Sequence, residues 1–189
     1  MDTYSRDMIQ CPVCDPFEAK DVQTVASRLK QRPLLLITLA CDFAERACDQ
    51  APNPAQAREW LRAARDWKSD QEIPEANAVA AWEIYLGTGD VETAARAAAN
   101  AVAEAVGAAN AAAAAERCSR LGATQAESEA LIWATNAVVS AAEATASIAA
   151  SLEDERTWQI EHMRALTCIC AAAEIGLPGS RSRKSLLAY

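Results

Sequence analysis

Histidine occurs once in these 189 residues, phenylalanine twice and glycine six times. A single histidine excludes the paired Glu-x-x-His motifs of di-iron helical bundles. Strand-forming residues are few and scattered, so no β-sheet is expected. Long apolar runs are missing too. A membrane-spanning helix needs roughly 20 consecutive apolar residues, and the best stretch, 130–142, is closed off by Glu129 and Glu143. Basic residues are outnumbered, with 18 Lys and Arg against 26 Asp and Glu, giving a net charge of −8 and a pI near 4.8. That balance argues against nucleic acid as a partner, because phosphates need a basic face. It suits a basic protein partner, whose encounter opposite charge speeds. The alternative is acidity that merely keeps the chain in solution.

Familiar reactive motifs are also lacking. "GTG" at 87–89 has no flanking strand and no lysine at the place a phosphate loop requires. No serine sits in a nucleophile elbow, and no pair of carboxylates is marked out for catalysis. One segment, "RLKQRPLLLITLAC", imitates a secretion signal with basic residues, an apolar run and a cysteine. The run is short and sits behind an acidic, helix-like stretch, so 34–40 reads as a buried helix turn and the chain as cytoplasmic.

What the chain does have is alanine, the strongest helix former. Helix start and stop signals recur along it. "DPFE" offers Asp15 as a cap with Pro16 at the first helical position, and Asn53 and Pro54 repeat the arrangement. Pro33 and Pro74 can each open a helix, and Asp90 closes a turn as a cap. Thr124 and Glu127 fit a capping box, and Gly122 suits the position after a helix C-terminus. These marks predict helices over 16–31, 34–50, 54–69, 74–86, 90–121 and 124–175, the last with a break near 153–156. The expected fold is an all-α, single-domain helical bundle of about six helices. At its centre stands a long alanine-rich antiparallel pair, 90–121 against 124–152. Residues 1–15 form an N-terminal extension carrying "CPVC", 16–176 the alanine-rich helical domain, and 177–189 a basic, flexible tail.

Apolar spacing supports the division. Leu35, Leu36, Leu39, Phe43 and Ala47 keep one helical face, and Trp60, Leu61, Ala64 and Trp67 another. Alanine faces let helices approach closely, with the five tryptophans and the leucines supplying bulk. A faint repeat, "NAVAAW", "NAVAEA" and "NAVVSA", reads as coincidence in so alanine-rich a chain. Its Asn100 and Asn136 are candidates for hydrogen bonds across a helix seam.

Some residues carry chemistry. Cys11 and Cys14 have zinc-ligand spacing, and Cys168 and Cys170 are candidates to complete four thiolates. Yet a C-x-C on one helix points its thiols apart, and the usual second knuckle is missing. The seven cysteines read as reduced thiols, with Cys41 and Cys48 packing on one helical face. No cofactor is expected, zinc being the alternative. His162 lies beside Trp158 and Glu161; a half-buried structural histidine is expected there, with acid–base work alongside Glu161 as the alternative.

"ACDFAER" at 40–46 is followed, after a proline-containing linker, by "AARDWKSD" at 63–70 and then by alanine-rich helices. In this order of motifs the chain resembles the Imm5-like immunity proteins of bacterial polymorphic toxin systems, over about residues 35–116. The histidines expected in the alanine-rich part are missing, and "CPVC" lies outside the pattern. The resemblance implies a small cytoplasmic helical protein that binds and neutralises a cognate toxin domain. The residues fit an inhibitor that works by shape and charge. Asp42, Glu45 and Asp49, with Asp66, Asp70 and Glu72, form a candidate acidic face toward a basic toxin, a solvated surface being the alternative. Glu45 and Arg65 are expected to pair between the second and third helices, with Trp60 and Trp67 packed nearby. A metal-binding or thiol-switch protein, or a structural helical module, are the competing functions.

Overall fold

The computed structural model describes residues 21–29, 32–66, 75–88 and 93–174. Among these residues the chain is all-helical, without strands, and forms a helical bundle. The helices are α1 (Val22–Arg28), α2 (Pro33–Ala47), α3 (Pro54–Arg65), α4 (Glu75–Gly87), α5 (Ala94–Arg120), α6 (Thr124–Ser147) and α7 (Leu152–Glu174), with a 3-10 turn at Cys48–Gln50 after α2.

The α5–α6 hairpin is the centre. Ala101, Ala105, Ala108, Ala109 and Ala112 of α5 are fully buried, as are Ala134, Val138 and Ala141 of α6. Such side chains remove little area from water each, so the hairpin needs a bulkier layer. Helix α2 supplies it, packing against both members of the pair. Its Leu36, Ile37, Leu39 and Phe43 are among the largest fully buried side chains, joined by Leu61 and Met163. Helices α3 and α4 cover α5, while α1 and α7 sit on the α6 side. The tryptophans contribute less than their size suggests. Trp60 is buried, Trp82 and Trp158 are half-buried, and Trp133 is 70% exposed. Trp67 lies outside the described residues. No helix among the described residues is long and apolar enough to cross a membrane.

Several sequence signals act as expected. Pro33 and Pro54 open α2 and α3, and Asn53 caps α3 by accepting the Gln56 N–H at 3.3 Å. Gly122, at φ 70°, ends α5 with two bonds: its own N–H reaches the Ser119 carbonyl and the Ala123 N–H reaches that of Cys118.

Other signals need correction. Asp21 is extended, with φ −149°, and accepts the Thr24 N–H at 2.7 Å, so a helix starts at Val22 and does not run unbroken from 16. Helix α3 stops at Arg65, with Asp66 in a turn. Thr93 is extended and caps α5 at Arg96, which puts the start of that helix at Ala94. The capping box at Thr124 does not form. Thr124 is itself helical, Ala123 stands at the cap position, and no side chain bonds there. The break in the last helix falls after Ser147, ahead of 153–156. Ser151 accepts the Asp154 N–H at 3.3 Å, and Glu153, Asp154 and Glu155 suit the positive end of the α7 dipole. Asn136 is exposed on α6 and so joins no seam, and Asn100 lines a concavity with Tyr85 and Arg96.

Two outcomes follow from the packing. Replacing the fully buried Ala105 by Leu overfills the seam and is expected to cost about 1–3 kcal/mol. The same change at exposed Ala126 should stay within about 0.5 kcal/mol; urea unfolding compares them. Glu104 is half-buried on α5, and burial raises its carboxyl pKa. Its ionised form is therefore disfavoured in the folded chain, and stability is lost as pH rises through the carboxylate range. Glu104→Gln should melt above wild type at neutral pH, with the gap closing in acid; a gap that ignores pH would show another cause.

Candidate functional site

Helix α2 buries its apolar stripe against the hairpin, which turns Asp42, Glu45 and Arg46 outward toward α3 and α7. Asp42 is the meeting point. Its Oδ1 accepts from Arg65 Nη2 of α3 at 2.7 Å, and its Oδ2 lies 2.7 Å from His162 Nε2 of α7. A carboxylate only accepts, so the histidine proton sits on Nε2. Arg65 also donates to Glu45 Oε2 at 2.5 Å. Burial lowers the pKa of the Arg65 guanidinium, but its bond to Glu45 and the charge of Asp42 more than offset this, and the net direction is upward.

On the other side of Asp42 runs an aromatic and ionic stack. His162 lies flat against Trp158, with centroids 4.8 Å apart and planes at 12°. The Arg46 guanidinium stands 4.0 Å from the same Trp158 ring, and the Phe43 edge meets that ring at 6.1 Å. Arg46 then grips Glu155 in a two-pronged contact, Nε at 2.9 and 3.1 Å and Nη2 at 2.7 Å. Glu155 is 4% exposed and also accepts from Gln159 at 3.2 Å. Gln159, itself buried, donates to the Ala142 carbonyl of α6 at 3.0 Å and so ties the stack to the hairpin. Thr145 of α6 donates to the Phe43 carbonyl of α2 at 3.0 Å, bracing the same region. Asp42, Glu45, Arg46, Trp158 and His162 together line an open, shallow concavity of about 390 Å³.

The acidic face of the sequence is therefore less acidic in the fold. Asp42 and Glu45 share Arg65, and Asp49, though 83% exposed, pairs with Arg58. Asp66 is exposed. Asp70, Glu72 and Trp67 lie outside the described residues, as do Cys11 and Cys14 and the side chains of Cys168 and Cys170. Among the described residues, no group of three or more His, Cys, Asp and Glu is placed to hold a metal. Trp60 packs in the core beneath α3. Cys41 and Cys48 are buried, and burial pushes their thiols up to about 12 and about 11. The carboxylate on His162 is Asp42, from a helix 120 residues away, and not its neighbour Glu161, which is exposed. Arg46 and Glu155 were not singled out by the sequence. Alternation of charge with an aromatic at i, i+3 and i+7 in "ERTWQIEH" places Glu155, Trp158 and His162 on one face, and was the available signal.

No family model, curated protein or solved structure matches the chain.

Removing Arg46 strands the buried Glu155 carboxylate. Arg46→Met is expected to lower stability by about 1–3 kcal/mol. Adding Glu155→Gln should then cost less than it does alone, because the pair is coupled. Additive losses in thermal unfolding would show two independent surface residues.

Proposed function

We propose that this chain is an immunity-type protein that binds a cognate toxin domain by direct contact and neutralises it, with no turnover of its own. One observation carries the reading. Two segments resemble immunity proteins, 40–46 and 63–70, and the described part of the second, 63–66, meets the first: Arg65 donates to both Asp42 and Glu45. Such a face suits protein binding for three reasons. Tryptophan and arginine are the residue types that dominate interface energetics. Trp158 is already clamped by Arg46, His162 and Phe43, so little side-chain freedom remains to be lost on docking. Glu45, Asp49 and Asp66 are exposed carboxylates, the first two paired with Arg65 and Arg58, and a basic partner can compete for them. On this reading the chain acts in the cytoplasm, and its net charge of −8 leaves nucleic acid out of its partners.

A second reading has one observation in its favour. The 2.7 Å contact from Asp42 orients His162 as a carboxylate orients a general base. The two readings part under mutation. Cells producing the adjacent-gene toxin should survive with wild type. Survival should fall with Asp49→Arg combined with Asp66→Arg, both exposed, and the dissociation constant should rise about tenfold or more. Equal killing with and without the protein overturns the immunity reading. His162→Gln that keeps full affinity for the toxin yet loses protection transfers the function to acid–base chemistry.

A further inference from the structure

A larger cavity lies between α1, α6 and α7 and shares no lining residue with the Asp42 concavity. Its volume is about 550 Å³, within the range of small-molecule sites. Val22, Val139, Leu152 and Ile160 give it apolar walls. Gln159 lines it as well, and is only 1% exposed. The Gln159 amide nitrogen is committed, donating to the Ala142 carbonyl at 3.0 Å and to Glu155 Oε1 at 3.2 Å. A carbonyl and a carboxylate only accept, which fixes that end of the amide as the nitrogen. The amide oxygen accepts from no described residue, so it is the polar group that Gln159 offers to the cavity. A polar group so deep in a fold is normally hydrogen-bonded, and this one calls for an N–H or O–H from an occupant.

The other polar groups choose the occupant's charge. Ser147 spends its hydroxyl proton on the Ala144 carbonyl at 2.7 Å and has only lone pairs left to offer. Asp21 accepts from the Thr24 N–H and hydroxyl, and these bonds hold its carboxyl below the usual carboxylate range. Glu143 is exposed on the cavity wall and bonds to no described residue. Two carboxylates against the single guanidinium of Arg156 leave the lining negative. We propose that this cavity binds a small organic ammonium ion, with an N–H on Gln159 Oε1, its charge toward Glu143 and Asp21, and its hydrocarbon body against Val139 and Ile160. An anion would be repelled by the two carboxylates, and a plain hydrocarbon would leave the Gln159 oxygen without a donor.

The phenethylammonium ion, titrated at neutral pH into the full chain labelled with nitrogen-15, tests this. Binding should saturate, and the melting temperature should climb with probe concentration, as it does for any ligand of the folded state. The side-chain amide resonance of Gln159 should move with the same midpoint. Phenylpropionate, of similar size but opposite charge, should not bind. Glu143→Lys alters an exposed side chain without a described partner, so it should keep the wild-type melting curve and weaken the probe about tenfold or more. Asp49→Arg with Asp66→Arg touches no residue of this cavity and should bind the probe as wild type does, so this site and toxin binding fail separately. A titration that never saturates overturns the proposal. So does equal binding of the carboxylate, a Glu143→Lys chain with wild-type affinity, or a Gln159 resonance that stays in place while the probe binds.

Discussion

Alanine sets the terms of this structure. A seam of methyl groups allows close packing over the length of α5 and α6 but removes little apolar area from water per residue. Something bulky must lie along the hairpin, and α2 is the helix that does. Its Leu36, Ile37, Leu39, Cys41 and Phe43 are buried, while Asp42, Glu45 and Arg46 reach the surface. Phe43 is in the core and Asp42 and Glu45 are on the surface because one helix cannot bury every side. The position of the charged cluster thus follows from the poverty of the central seam.

The cluster, in turn, closes the bundle. Helix α7 has a mixed face and is attached by both apolar and polar contacts. Met163 is its fully buried anchor; around it, Glu155 meets Arg46, Gln159 meets the Ala142 carbonyl, and His162 meets Asp42. Arg65 brings α3 to the same carboxylate. Three helices, the consecutive α2 and α3 and the distant α7, are therefore held at Asp42, with each of its oxygens committed to a different neighbour. A face built this way has little side-chain freedom left. The same constraint makes it expensive to alter, since removing one member exposes the others as unpaired charges.

The helices were legible in the sequence where a local rule was sufficient. Pro33, Asn53, Pro54 and Gly122 each act through neighbours within a few residues, and the alanine runs declare the hairpin. The errors also have local causes. Thr124 looked like a cap because Glu127 follows at the right distance. The preceding Gly122–Ala123 bonds back onto α5 carry the chain straight into α6 instead, leaving Thr124 already helical. The acidic run after Ser151 looked like an interruption; acids in a first turn after a serine are the mark of a beginning. The site was legible only in part. Glu45 and Arg65 stand close on helices joined by a short linker, so their meeting was within reach. Asp42 meeting His162 is a contact across 120 residues, set by how α7 lies on α2, and no spacing rule encodes it. Trp133 was assigned to the core by its type, but its neighbours Ala134 and Val138 take the buried face of α6.

The two ends of the hairpin differ in their surroundings. Thr145 bonds to Phe43 at the cluster end, and Trp133 lies twelve residues earlier on the same helix, about 18 Å away at 1.5 Å per residue. Changes at sites so far apart that share no partners add independently.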